Sequence, residues 1–117
     1  MIPRDLGEAR HWFSKLAGSS ALSARTAQEY LGTFYEKGMG GPQDYSEAMR
    51  WYELAVKAGH APYAAFALGA MYEFGRGVPA NLDKALDLYR TAAFRQYRPA
   101  QYRLGVAYLR GEGVRRE

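Results

Sequence analysis

Two histidines, three Gly-x-Gly triplets, paired carboxylates and a run of arginines are the residues here that could do chemistry. A metal site needs ligands at close helical or loop spacing, such as H-x-x-x-H, and a thiol nucleophile needs a cysteine. His11 and His60 lie far apart and there is no cysteine, so both histidines read as structural or solvated. Gly38/Gly40, Gly75/Gly77 and Gly111/Gly113 suggest a phosphate cradle. That cradle sits between a strand and the N-terminus of a helix, whereas these glycines follow predicted helix ends and no strand is predicted. Glu36 and Glu73 are placed to share a face, but general acid–base work needs a closed pocket to shift their proton affinity, and stacked helix pairs offer an open groove. The expectation is therefore no catalytic residue, cofactor, metal or small-molecule substrate, and a protein that is not an enzyme.

The arginines are unevenly placed. Residues 1 to 89 hold nine Lys/Arg against ten Asp/Glu, and residues 90 to 117 hold seven against two, which makes up the net charge of +4. Arg90, Arg95, Arg98, Arg103, Arg110, Arg115 and Arg116 offer an acidic partner or nucleic acid a basic end. They are spread over two predicted helices and a tail instead of one helix face. The reading favours a solvated surface, with nucleic-acid binding kept as a remote alternative.

The elements that carry these residues follow from a repeat. Ala27, Leu31, Gly32, Tyr35, Gly38 and Gly40 recur as Ala64, Leu68, Gly69, Tyr72, Gly75 and Gly77, then as Ala100, Leu104, Gly105, Tyr108, Gly111 and Gly113, at intervals of 37 and 36 residues. Such a period marks stacked supersecondary units that share their apolar faces. Each unit contains a helix A, bearing this motif, and a helix B. Pro62 and Pro99 suit the first turn of helix A, and a Ser-rich entry, Ser19 to Ser23, serves the first copy. Gly38, Gly75 and Gly111 suit a left-handed helix end. Asp5, Asp44 and Asn81 are N-caps of helix B, with Glu8 and Glu47 three residues on, as in a capping box. Within helix B, Trp12 and Phe13 match Trp51 and Tyr52, then Leu88 and Tyr89, with small residues at Ala17, Val56 and Ala93. The expected helices span 5–18, 23–37, 44–58, 61–74, 81–95 and 99–110, one array over 1–117. A glycine inside a helix costs about 0.5 to 1 kcal/mol relative to alanine, so Gly32, Gly69 and Gly105 point to close contact between A and B helices.

Composition agrees with a folded domain: of 117 residues 48% are hydrophobic and 15% aromatic, ten of them tyrosines. No apolar run of about 18 residues is long enough to cross a bilayer, and MIPRDLGEARHWF lacks the apolar core of a signal peptide. As written, the sequence reads as unexported and without membrane insertion, while its compartment stays open.

These positions resemble the Sel-one-like repeat (SLR) family, relatives of tetratricopeptide repeats in bacteria and eukaryotes. Its pattern runs A-x-x-x-L-G-x-x-Y-x-x-G-x-G-V-x-x-D-x-x-K-A-x-x-W-Y-x-x-A-A-x-x-G. The second copy, Ala64 to Gln96, follows it nearly throughout. Gly41 replaces the valine found at Val78 and Val114, Leu88 replaces the tryptophan, and Gln96 replaces the glycine found at Gly59. The resemblance implies an all-α fold, a right-handed α-α superhelix or solenoid of about six helices. It also implies a scaffold or adaptor that binds a protein or peptide on a concave surface of A helices.

At about 100° per residue, offsets +2, +6 and +9 from the motif alanine fall opposite the buried arc of helix A. The candidate partner-binding residues are Glu29, Thr33 and Glu36, then Phe66 and Glu73, then Tyr102, Val106 and Leu109, with Ala70 at the remaining offset. Phe66, Tyr102, Val106 and Leu109 place apolar groups on a face expected to be wet. The sequence begins and ends at the same phase of the repeat, so it reads as an array segment or as a module that self-associates. In the second case the Val106/Leu109 side of the last helix meets the Trp12/Phe13 side of the first.

Overall fold

The computed structural model describes residues 4–20, 23–59 and 61–112. Among these, six α-helices form: α1 (Leu6–Ala17), α2 (Ala24–Lys37), α3 (Tyr45–Ala58), α4 (Pro62–Phe74), α5 (Leu82–Phe94) and α6 (Arg98–Arg110). In the repeat's terms α1, α3 and α5 are B helices, and α2, α4 and α6 are A helices. His60, Gly113, Val114, Arg115 and Arg116 lie outside the described residues.

Local chemistry sets the helix ends. The carboxylate of Asp5 accepts from the Glu8 N–H at 3.0 Å, that of Asp44 from Glu47 N–H at 3.1 Å, and the Asn81 amide oxygen from Lys84 N–H at 3.1 Å. Each cap satisfies an amide that the first turn leaves without an intrahelical partner. Ser23 occupies the same position in α2 but makes no side-chain cap. At the other end, Gly38, Gly75 and Gly111 take φ of 68°, 67° and 72°. The residue after each glycine then donates back to the helix: Met39 to the Phe34 carbonyl, Arg76 to that of Met71, and Glu112 to that of Ala107. The backbone N–H of the cap residues Asp44 and Asn81 then donates to the carbonyls of Tyr35 and Tyr72, both at 2.8 Å. The motif tyrosine thus fixes where the next B helix starts.

The helices belong to two compact units, Met1–Gly59 and His60–Glu117. In the first, α2 packs on both α1 and α3, around Ala17, Ala27 and Leu31, with Phe13, Leu16, Tyr35 and Trp51 against them. In the second, α5 packs on both α4 and α6, burying Leu86, Tyr89, Ala64, Leu68, Met71 and Ala100. Arg10 is the one charged residue in a B-helix register otherwise filled by the buried Met49 and Leu86. It donates to the carbonyls of Phe34 and Met39 and lies 4.3 Å from the Tyr35 ring centroid, closing the C-terminus of α2.

Candidate functional site

Each unit contains one joint between an A helix and the B helix that follows it, built on the motif glycine. In α2, a Cβ on Gly32 would lie 2.5 Å from the Tyr52 ring of α3; in α4, one on Gly69 would lie 2.8 Å from the Tyr89 ring of α5. Nothing larger than hydrogen fits under either ring, which is why the repeat tolerates a helical glycine there. Both tyrosines are fully buried, and a buried phenol needs a partner for its hydroxyl. Tyr52 donates to Glu36 Oε1 at 2.8 Å, and Tyr89 donates to Glu73 Oε1 at 2.7 Å. Offset +9 of helix A therefore supplies the acceptor of the joint.

The second joint is charged. Arg103 of α6 reaches Glu73 with Nε and Nη2, and the same Nη2 donates to Glu112 Oε2 at 2.9 Å. Burial alone pushes the Glu73 carboxyl up, but hydrogen bonds from Arg103 and Tyr89, together with the Arg103 charge, hold it below its ordinary value. Burial and the neighbouring Glu73 push the Tyr89 phenol well above its ordinary range. Arg103 hydrogen-bonds Glu112 and draws that carboxyl down. Arg103 Nη1 is buried without a partner among the described residues.

The structure sorts the sequence candidates by offset. Glu36 and Glu73 are half-buried acceptors inside the joints. Thr33 Oγ1 donates to the Glu29 carbonyl at 3.1 Å and lies 3.1 Å from the Tyr52 hydroxyl. Phe66 is half-buried, 5.3 Å from the ring centroids of both Tyr89 and Tyr97. Tyr102 and Leu109 are exposed, at 76% and 82%, while Val106 is half-buried. No B helix follows α6 among the described residues, and a Cβ on Gly105 would meet nothing within 4 Å there.

The chemistry-bearing residues are held in structural pairings. Arg90 pairs with Asp87 at 2.7 Å, Arg110 with Glu112 at 3.5 Å, and Arg103 with Glu73 and Glu112. His11 is exposed, its ring 5.2 Å from that of Trp12. No cluster of His, Cys, Asp and Glu among the described residues is arranged to hold a metal, and no described helix is long and apolar enough to cross a membrane. Sequence reasoning missed the roles of Arg103 and Arg10. The signal was available, since each places a charge in a register that other copies fill with apolar residues.

Comparison with known proteins agrees with this geometry. The Sel1 repeat family model matches residues 1–18, 26–60, 62–93 and 98–117. The chain is similar to a Sel1 repeat protein from Oxalobacter formigenes, with 30% identity and a TM-score of 0.88 over 99% of this chain and 46% of that one. It is also similar to c5321, a protective antigen of uropathogenic Escherichia coli strains displaying an SLR fold. There the identity is 28% and the TM-score 0.81, over 97% of this chain and 23% of that one. The chain spans less than half the length of either protein. A search of curated proteins gave no significant match. With helices as the only regular elements among the described residues, glycine-seated tyrosines in both units and a family match over most of its length, the chain is an all-α helical-repeat solenoid and belongs to the Sel1 repeat family.

Proposed function

We propose that this chain is a non-catalytic scaffold that binds a peptide or protein segment through offsets +2 and +6 of its A helices, with Tyr102 as an aromatic anchor. Sel1 repeat proteins are generally protein-interaction scaffolds and typically non-catalytic; the face and its occupant are this chain's own question. The observation that carries the reading is the exposure of Tyr102. A large amphipathic ring on a helix whose opposite side buries Ala100 and Ala107 fits the aromatic anchors that dominate binding energy at interfaces. The +9 offset contributes less in the two units, because Glu36 and Glu73 are engaged by tyrosines. The basic end is a weaker attraction for nucleic acid, since Arg90, Arg103 and Arg110 already face carboxylates.

The test is selection of binders from a displayed random-peptide library against the 117-residue chain, followed by affinity measurement on Tyr102→Ala. Peptides selected on the unmodified chain are expected to lose at least about tenfold in affinity, as for a hot-spot anchor, with helical content unchanged. Binding indifferent to Tyr102→Ala, or a selection that yields no binder, overturns the reading.

A further inference from the structure

Gly41 stands where Val78 and Val114 stand in the later copies, and its backbone gives no reason for the exchange. Gly38 and Gly40, just before it, take φ of 68° and 71°, whereas Gly41 takes no positive φ. What the missing side chain leaves is room. A Cβ on Gly41 would lie 2.8 Å from Nη1 of Arg10 and 2.9 Å from its Cζ. The glycine at 41 therefore answers a residue of α1.

The guanidinium needs that room to reach its acceptors. Nε donates to the Met39 carbonyl at 3.0 Å, and Nη2 donates to the carbonyls of Met39 at 2.6 Å and Phe34 at 3.1 Å. These are carbonyls that the end of α2 leaves short of intrahelical partners. Equivalent groups close α4 and α6, where the N–H groups of Arg76 and Glu112 turn back to Met71 and Ala107, so the acceptors alone do not distinguish one loop from another. The residue that follows does, because a valine there would put its side chain where the guanidinium lies. In the B-helix register of Arg10, α3 and α5 carry Met49 and Leu86, both buried. Arginine thus goes with glycine in the first copy, while the later copies carry apolar side chains at both registers.

We infer that Arg10 and Gly41 are a matched pair that assigns α1 to the loop after α2 and excludes it from the loops that carry valine. Repeats built on one motif present similar helix faces, and pairing with the wrong copy, within a chain or between chains, is a characteristic failure of such arrays. A clash with the wrong partner discriminates as well as a good contact with the right one. On a valine-bearing loop the guanidinium would lose its carbonyls and stay desolvated beside an apolar group. On Gly41 it keeps its bonds to Phe34 and Met39 and the Tyr35 ring 4.3 Å away. The inference goes beyond the partner-binding reading and uses none of its residues, so the two stand or fall separately.

Thermal unfolding followed by far-UV circular dichroism tests the match on the 117-residue chain in four forms: unmodified, Arg10→Met, Gly41→Val and the two together. Gly41→Val gives the loop the valine of the later copies and is expected to lower the melting midpoint by at least about 4 °C. In the Arg10→Met background the same substitution is expected to change it by less than about 2 °C, because no guanidinium then holds the space. Should Gly41→Val alone not fold, its rescue by Arg10→Met reads the same coupling. Refolding from denaturant across a concentration series, with mass read by light scattering, tests the assignment. The paired variant, whose first joint no longer differs from the later ones at these registers, is expected to leave at least about twofold more chain in multi-copy species than the unmodified protein. Equal losses from Gly41→Val in both backgrounds, a paired variant that does not fold, or one that refolds to a single copy as fully as the unmodified chain, overturns the inference.

Discussion

In the first unit the Tyr52 ring lies on Gly32 and its hydroxyl meets Thr33 and Glu36; in the second, Tyr89 lies on Gly69, Ala70 stands in the register of Thr33, and Glu73 is shared with Arg103. The ring seat is common to both because it is steric, set by the absence of one carbon. The polar tip differs because a buried hydroxyl needs an acceptor but is indifferent to what else that acceptor binds. In the first joint the Thr33 hydroxyl lies beside that of Tyr52. An arginine from the following A helix completes the second, binding α4, α5 and α6 through one carboxylate. Both joints thus share a glycine, a tyrosine and a glutamate, while Thr33 stands beside the first hydroxyl and Arg103 binds the second carboxylate.

The largest break in that comparison should come from Arg103→Ala. The side chains of Arg103 and Glu73 are only 20% and 13% exposed, and removing one partner of a largely buried pair leaves the other charge poorly solvated. A loss of about 2 to 3 kcal/mol is expected, below the range for full burial. Denaturation followed by far-UV circular dichroism measures it. Both tryptophans, Trp12 and Trp51, lie in the first unit, so their fluorescence should report a smaller change than the helical signal.

The steric half of the comparison predicts opposite signs for one substitution. Gly32→Ala and Gly69→Ala place a Cβ inside a buried ring, which costs about 1 to 3 kcal/mol of overpacking, reduced by about 0.5 to 1 kcal/mol of helix propensity. Gly32, with the tighter contact, should lose more. Gly105→Ala meets no atom and should stabilise by about 0.5 to 1 kcal/mol, measured by the same denaturation. Equal losses at all three glycines would contradict the steric reading.

Acid should separate the charged joint by a smaller margin. The Glu73 carboxyl is held below its ordinary 4.5 in the folded chain. Its ionisation therefore adds stability that is fully present above that ordinary value and is lost as pH falls through the folded one. Acidification from about pH 6 to about pH 3 should lower stability, and Glu73→Gln should flatten that part of the curve while lowering stability at neutral pH. The smallest effect belongs to the ends of the B helices. Gly59 closes α3 with φ of 85°, and Gln96, in its register, holds φ of 66° with a side chain attached. Gln96→Gly should stabilise by about 0.5 kcal/mol, the relief of a left-handed backbone offset by added freedom in the unfolded chain. Thermal unfolding resolves it.

The positions of the helices were legible because their signals are local. Asp44 caps within three residues, and Gly38 ends a helix by its own backbone freedom. The free face was only partly legible. Angular position placed Glu36, Glu73 and Leu109 opposite the buried arc, but the arc that the following B helix covers depends on where that helix lies, and it reaches the +9 offset. Arg103 illustrates the same limit. Its charge was visible as part of a basic end, while its role depended on Glu73, 30 residues away.

By itself, the sequence determined the repeat, the helix ends, the all-α class and the family, because capping, left-handed turns and apolar periodicity act over a few residues and recur in phase. The tertiary structure alone decided what each repeated residue touches. It seated Tyr52 and Tyr89 on glycine and made acceptors of Glu36 and Glu73. Those outcomes depend on whether another helix lies across the same helix face, and a pattern of residues along one helix does not encode that.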